Sequence, residues 1–178
     1  MEQIQEKHTA FIGVGSNIGD RAANLQRALD MLEELPQTSI GKISRIYHSE
    51  PFGSIEQEWF YNAVFQLLTT LSPHALLSFC KKIESHMGRP AEHLKWGPRI
   101  IDLDILLYDD ATYDRETLTI PHPEISNRKF VLLPLLDIDN PLHPVFGKTM
   151  AELLEACPDN STIEPCGHML RKHHGSTR

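Results

Sequence analysis

The chain has 178 residues, 40% hydrophobic and 7% aromatic, enough for one domain to bury its own core without staples. Its formal charge of −7 argues against non-specific nucleic-acid binding, which Lys and Arg dominate. No apolar run approaches the ~18 residues of a membrane helix, and three cysteines, Cys80, Cys157 and Cys166, suit reduced thiols better than a disulfide framework.

The charged opening MEQIQEKH is unlike a secretory leader, so a cytoplasmic protein is expected. Thr9 to Gly15, TAFIGVG, reads as a buried strand that runs into Ser16-Asn17-Ile18-Gly19-Asp20. The glycine-rich GVGSNIG invites a phosphate-loop reading, but no Gly-Lys-Ser/Thr follows and the third glycine is displaced by one from a dinucleotide fingerprint. A tight turn is expected instead. Asp20 is placed to cap a helix from Arg21 to about Leu35, whose stripe is Leu25, Ala28, Leu29, Leu32 and Leu35, and Pro36 stops it.

Lys42 to His48 alternates weakly and predicts a strand, followed by a loop punctuated by Pro51 and Gly53. Phe60 to Thr70 predicts another. Ser72-Pro73 is an N-cap and N1 pair opening a helix through Leu76, Phe79, Cys80, Ile83 and Met87, with Gly88 as its stop. RPAEHLKWGP, after it, has no period and reads as a mobile flap.

Trp96 to Leu107, WGPRIIDLDILL, is the stretch with chemistry in it. With a strand's two-residue period, Ile101, Leu103, Ile105 and Leu107 point one way, and Asp102 and Asp104 the other beside Ile100 and Leu106. Carboxylates roughly 6 to 7 Å apart on one face repel by about 2.5 kcal/mol at an effective dielectric near 20. A hard divalent cation, or a pair of Mg²⁺ suited to arriving phosphates, would offset this. Arg99 stands at the strand entrance, where a guanidinium can grip phosphate oxygens. The alternative is a solvated edge strand whose acids only block edge pairing.

The order so far is strand, helix, strand, strand, helix, strand, the split βαβ of an α+β ferredoxin-like sheet with helices on one face. Beyond it, Thr117 to Ile120 predicts a short strand, Asn127 to Leu136 is helical in character until Pro134, and Thr149 to Ala156 is a short amphipathic helix, so extra helices follow the sheet. Asp109 and Asp110 suit a turn. Residues 1–160 are expected as a single domain and 161–178 as a flexible tail. Arg89, Arg99, His122 and Arg128 form a scattered basic set that gains meaning only collectively, as counter-charge for a polyphosphate. Phe60, Asn62 and Phe130 form a second set, in which Phe130 is as easily core as a stacking platform. Cys157, Cys166, His168 and His173 match no paired zinc spacing.

WGPRIIDLDILL resembles the signature of the 6-hydroxymethyl-7,8-dihydropterin pyrophosphokinase family. The likeness continues through GSN at Gly15 to Asn17, YNA at Tyr61 to Ala63, GR at Gly88 and Arg89, and LTIPH then NRKF from Leu118 to Phe130. It covers roughly residues 8 to 155. The resemblance implies a Mg²⁺-dependent enzyme of folate biosynthesis that moves a pyrophosphoryl group from ATP to a pterin alcohol and releases AMP. It implies that Asp102 and Asp104 bind two Mg²⁺, that Arg89 and Arg99 steady the triphosphate, and that Asp104 is a candidate base for the attacking hydroxyl. On the nucleotide side it places Glu84, Trp96, Arg99, Ile105, Thr119, His122 and Arg128. On the pterin side it places Asn17, Ser49, Phe52, Phe60, Asn62 and Phe130, with closure of the flap from Arg89 to Trp96 excluding water. No nucleic-acid or membrane partner is implied, and a monomer is expected.

Four positions depart from family habit. Phe60 stands where a tyrosine often stacks on the pterin, Ala91 and Glu92 where the flap can be basic, and Thr117 where an arginine can face the nucleotide. A rival from another class is a non-catalytic RNA-binding module, since RNA-recognition folds share this topology. It requires aromatics exposed on the sheet and a basic surface. A closer rival is a phosphotransferase with the same site and another acceptor.

Overall fold

A computed structural model describes residues 4–51, 53, 55–88 and 98–173. Strand β1 (His8–Ser16) leads to helix α1 (Arg21–Glu33), where the Asp20 carboxylate accepts from Ala23 N and satisfies one of the first-turn amides. Strands β2 (Thr38–Ile43) and β3 (Tyr47–Ser49) follow, then β4 (Phe60–Thr69). Helix α2 (Pro73–His86) starts on a Ser72 cap with Pro73 in its first turn, and ends before Gly88, whose φ of +96° suits only glycine without strain.

Strand β5 (Asp102–Tyr108) precedes a two-stranded hairpin of β6 (Tyr113–Arg115) and β7 (Leu118–Ile120). Helices α3 (Lys129–Ile138) and α4 (Met150–Glu155) come next, and β8 (Ile163–Pro165) closes the order. The main sheet runs β5-β1-β4-β3-β8, with β2 also paired to β4, and its pairs are antiparallel.

Two apolar cores lie on opposite sides of this sheet. One packs Leu25, Leu29 and Leu32 of α1 and Leu76, Cys80 and Ile83 of α2 on Ile12, Phe65, Leu103 and Ile105. The other packs Val131, Leu132, Leu135 and Met150 of α3 and α4 on Phe11, Val64, Leu106 and Leu107. At roughly 1.5 to 3 kcal/mol per fully buried aliphatic side chain, each core is a major stabilising block. The two helices expected on one face, α1 and α2, share it, and α3 and α4, whose face the sequence left open, cover the other.

Several expectations are corrected. The predicted strand over 42–48 is interrupted, because residues 44–46 leave the ladder while Ser44 N still bonds Val64 O and Ser44 Oγ accepts from Val64 N. Leu107 faces the second core, not the first. A register shift between Phe11 and Ile12 pairs Leu107 with Phe11 and Ile105 with Ile12, so Leu106 is an extra residue on β5. Such a bulge breaks the alternation and turns Leu106 and Leu107 to the same core.

Pro134 lies inside α3 rather than ending it. Its missing N–H removes one backbone bond, but Val131, Leu132, Leu135 and Ile138 are buried on either side and hold the helix. The segment expected as a tail from 161 is described through His173. β8 pairs with β3, Arg171 N donates to Gln26 Oε1, and His173 N donates to Glu33 Oε2. The expected flap over 89–97 lies outside the described residues.

Candidate active site

The two glycines of β1 explain where the cavity is. Gly13 pairs with Asp104 on one side and Val64 on the other, and Gly15 with Asp102 and Asn62. With no side chains at these two positions of β1, the sheet is left as a floor between an acidic strand and an amide. A Cβ on Gly15 would stand 2.8 Å from Asn62 Oδ1, so glycine is needed there for the close approach. The cavity above this floor has a volume of about 270 Å³. That is near the ~300 Å³ lower end of small-molecule pockets.

Asp102, Asp104 and Leu106 form its β5 wall, with Arg99 before them and Lys81 of α2 at the side. Arg99 Nη1 donates to both Asp102 oxygens at 3.1 Å. At an effective dielectric of 20 this contact attracts by about 5 kcal/mol before solvation losses, roughly twice the repulsion expected between the carboxylates. The guanidinium is thus an internal counter-charge for Asp102. Its backbone is fixed by Asn17: Arg99 N donates to Asn17 Oδ1 at 2.7 Å, and Asn17 N to Arg99 O at 3.0 Å.

The outer edge of β5 is held by groups that reach it from outside the main sheet. Glu84, only 3% exposed, accepts from Leu103 N at 2.9 Å, between the two aspartates in sequence. His122 N donates to Leu106 O at 2.9 Å. These bonds satisfy backbone groups that an edge strand would otherwise present bare. They also lock the pleat that aims Asp102 and Asp104 into the cavity.

His122 itself lines the cavity beside Arg128. Burial, then the Arg128 charge, push its pKa down to about 4, so the ring is neutral near pH 7. Nδ1 accepts from Glu124 N at 3.2 Å, which leaves the proton on Nε2 as a donor. A neutral ring with its proton on Nε2 can serve by hydrogen bonding rather than by charge, the first of the two roles left open by sequence.

The opposite wall is uncharged apart from Glu50. Asn62 Nδ2 donates to Ser49 Oγ at 2.6 Å, both residues being buried, and Phe60 and Phe130 add aromatic surface. The Arg128 guanidinium lies 5.7 Å from the Phe130 ring centroid. A flat, polar-edged heterocycle suits this wall; phosphates suit the other.

Nine predicted residues therefore meet at one cavity: Ser49, Phe60, Asn62, Arg99, Asp102, Asp104, His122, Arg128 and Phe130. Four do not line it. Asn17 and Glu84 stand behind the wall, with Asn17 Nδ2 donating to Gln57 Oε1 and Glu58 O. Ile105 is buried in the core under α2, and Thr119 is exposed on β7. Arg89, Trp96 and Phe52 lie outside the described residues.

The sequence reading missed Gly13, Gly15, Glu50 and Lys81 as lining residues. The glycines were legible in principle, since positions 13 and 15 share one strand face. Among the described residues no group of three metal-binding side chains converges, and Cys157 and Cys166 pack against different cores. Helices α3 and α4 cover one end of the cavity face of the sheet. No described helix is long and apolar enough to cross a membrane.

The family model for 7,8-dihydro-6-hydroxymethylpterin-pyrophosphokinase (HPPK) matches residues 11–140. The chain belongs to the HPPK family. It is 43% identical over 155 residues to the 2-amino-4-hydroxy-6-hydroxymethyldihydropteridine pyrophosphokinase of Methylorubrum extorquens, a match spanning 87% of this chain and 96% of that one. The Aquifex aeolicus protein of the same name is 42% identical over 158 residues, covering 88% and 94%. A Plasmodium falciparum HPPK-DHPS structure superposes with a TM-score of 0.66 at 17% identity, over 87% of this chain and 46% of that one, which speaks to fold alone. As an HPPK, the chain transfers a pyrophosphoryl group to hydroxymethyldihydropterin in folate biosynthesis.

Proposed function

We propose that the donor is ATP, that magnesium assists, and that the two walls of the cavity divide the substrates between them. The observation that carries this is the glycine floor, with the Asp102 and Asp104 carboxylates on one side and an amide, a hydroxyl and two phenyl rings, with Glu50 beside them, on the other. The order β5-β1-β4 followed by β2 and β3, taken as one bent strand, supports reading the sheet as ferredoxin-like.

Asp102 and Asp104 fit Mg²⁺ as hard oxygen donors, and a pair of carboxylates completed by substrate phosphates and water is this ion's usual arrangement. When bound, the metal neutralises phosphate charge and helps orient the triphosphate. Arg99, already beside Asp102, is placed to transfer its hydrogen bonds to phosphate oxygens, with Lys81, Arg128 and the His122 Nε2 proton as further donors. Arg89 and Trp96 remain assigned to the same side by family resemblance, and so do Ile105 and Thr119, through backbone or peripheral contacts. Glu84 and Asn17 are positioning residues in this reading: one fixes Leu103 between the aspartates, the other fixes Arg99.

The pterin ring lies between Phe60 and Phe130, with its polar edge on Asn62 and the backbone near Ser49, and Phe52 stays assigned to this side by family resemblance. Loss of a tyrosine hydroxyl at Phe60 leaves the stacking surface intact. The hydroxymethyl oxygen forms a bond to the β-phosphorus while the bond from that phosphorus to the α–β bridging oxygen breaks. AMP leaves with the bridging oxygen, and the hydroxyl proton has Asp104 as its candidate acceptor.

Purified protein supplied with ATP, Mg²⁺ and 6-hydroxymethyl-7,8-dihydropterin should form AMP and the pterin diphosphate in equal amounts. Replacing the pterin alcohol by other primary alcohols should abolish AMP formation. Absence of AMP with the pterin, or equal rates with unrelated alcohols, would refute the proposal.

A further inference from the structure

The chain beyond the family match, residues 11–140, returns to the cavity. Helix α3 receives no side-chain cap from its own N-cap residue, Arg128. Asp159 supplies one from 30 residues away: its Oδ2 accepts from Lys129 N at 3.0 Å and its Oδ1 from Ser161 N at 2.9 Å. Lys129 separates Arg128 from Phe130, both cavity residues. Three residues after Asp159, Thr162 O accepts from Glu50 N at 3.2 Å, and Thr162 N donates to Glu50 Oε1 at 3.3 Å. β8 then continues along β3, opposing Ile163 to Ser49. One short segment therefore grips the backbone under Phe130 and the backbone under Ser49 and Glu50.

We infer that residues 159–165, anchored by Asp159, position the heterocycle wall by setting the separation between Phe130 and the Ser49–Asn62 pair. The inference rests on the reading of that wall as the pterin side. The two carboxylates of the acidic wall are held apart from this strap, Asp102 and Asp104 being fixed through β1, Glu84 and His122, and Arg128, beside Lys129, is the one phosphate donor next to it. A mutation in the strap should therefore separate the two substrates. A general loosening of the fold should not.

The test is steady-state kinetics on Asp159→Ala and Asp159→Asn, with thermal melting alongside. Losing both charge-assisted bonds is expected to raise the KM for the pterin about tenfold in the alanine variant, while kcat and the KM for ATP stay within about threefold. The asparagine variant keeps one acceptor oxygen and should show a smaller rise of the same selectivity, which preserves the test if the alanine variant folds poorly. An unchanged pterin KM in the asparagine variant, or pterin and ATP KM values rising together, would overturn the inference. Failure of the parent reading looks different: Phe60→Ala and Asn62→Ala would leave the pterin KM unchanged whatever Asp159 does.

Discussion

The two faces of the sheet use the same strands for opposite ends. Under α1 and α2 the alternate residues Ile12, Val14, Ala63, Phe65, Leu103 and Ile105 form an unbroken core. On the other face, Phe11, Val64, Leu106 and Leu107 pack under α3 and α4 at one end only, and the intervening positions are Gly13, Gly15, Asn62, Asp102 and Asp104. A strand's period of two lets a residue serve stability while its neighbour serves chemistry. The bulge at Leu106 marks the change along β5, since there two consecutive leucines, Leu106 and Leu107, are used for packing.

The contrast breaks most sharply at the acids. Asp102→Ala and Asp104→Ala should each lower kcat/KM by about a thousandfold or more, equivalent to at least ~4 kcal/mol of transition-state stabilisation. Melting temperatures should move by only a few degrees. Turnover near wild type in either variant would contradict the assigned role.

On the packed face the pattern should reverse. Leu29→Ala removes a fully buried side chain and should destabilise by about 2 to 5 kcal/mol in denaturant titration. Activity per folded molecule should change little.

The third prediction concerns pH. The folded His122 pKa of about 4 lies below the ordinary 6.5, so between those values the unfolded chain binds more protons and stability rises with pH. Wild-type stability should fall on acidification from about pH 6.5 to 4, with His122 contributing on the order of 3 kcal/mol. His122→Asn should flatten that part of the curve. Asp159 acts lower. Its burial raises the pKa, but hydrogen bonds from Ser161 and Lys129 outweigh this and lower it overall, so its contribution is present above its unfolded pKa and lost below about pH 4.

The smallest effect should come from the floor. Gly15→Ala would drive a methyl group to 2.8 Å from Asn62 Oδ1, and Asn62 is held by Ser49. The pterin KM should rise about tenfold, roughly 1.4 kcal/mol, with little change for ATP. Equal effects on both substrates would blur the division between the walls.

Much of the acidic wall was legible because carboxylates in an apolar strand stand out against the period. The caps were legible too: Asp20 and Ser72 sit where local chemistry alone demands an acceptor. What escaped has non-local causes. Residues 163–165 form a strand because the β3 edge is there to pair with, not because their own pattern requires it. Lys81 looks like any exposed helix lysine until α2 is laid beside β5. Asn17, a clean match to the family pattern, proved to hold Arg99, the Gln57 side chain and the Glu58 carbonyl rather than to line the cavity. Sequence reveals which residues matter more readily than whether they touch the ligand or the residue that does.

The most direct test is a crystal structure with Mg²⁺, a non-hydrolysable ATP analogue and the pterin alcohol. Metal density bridging Asp102 and Asp104 to phosphate oxygens, with the heterocycle between Phe60 and Phe130, is the expected result. Carboxylates turned away from empty density, or a pterin bound elsewhere, would contradict the division of the cavity.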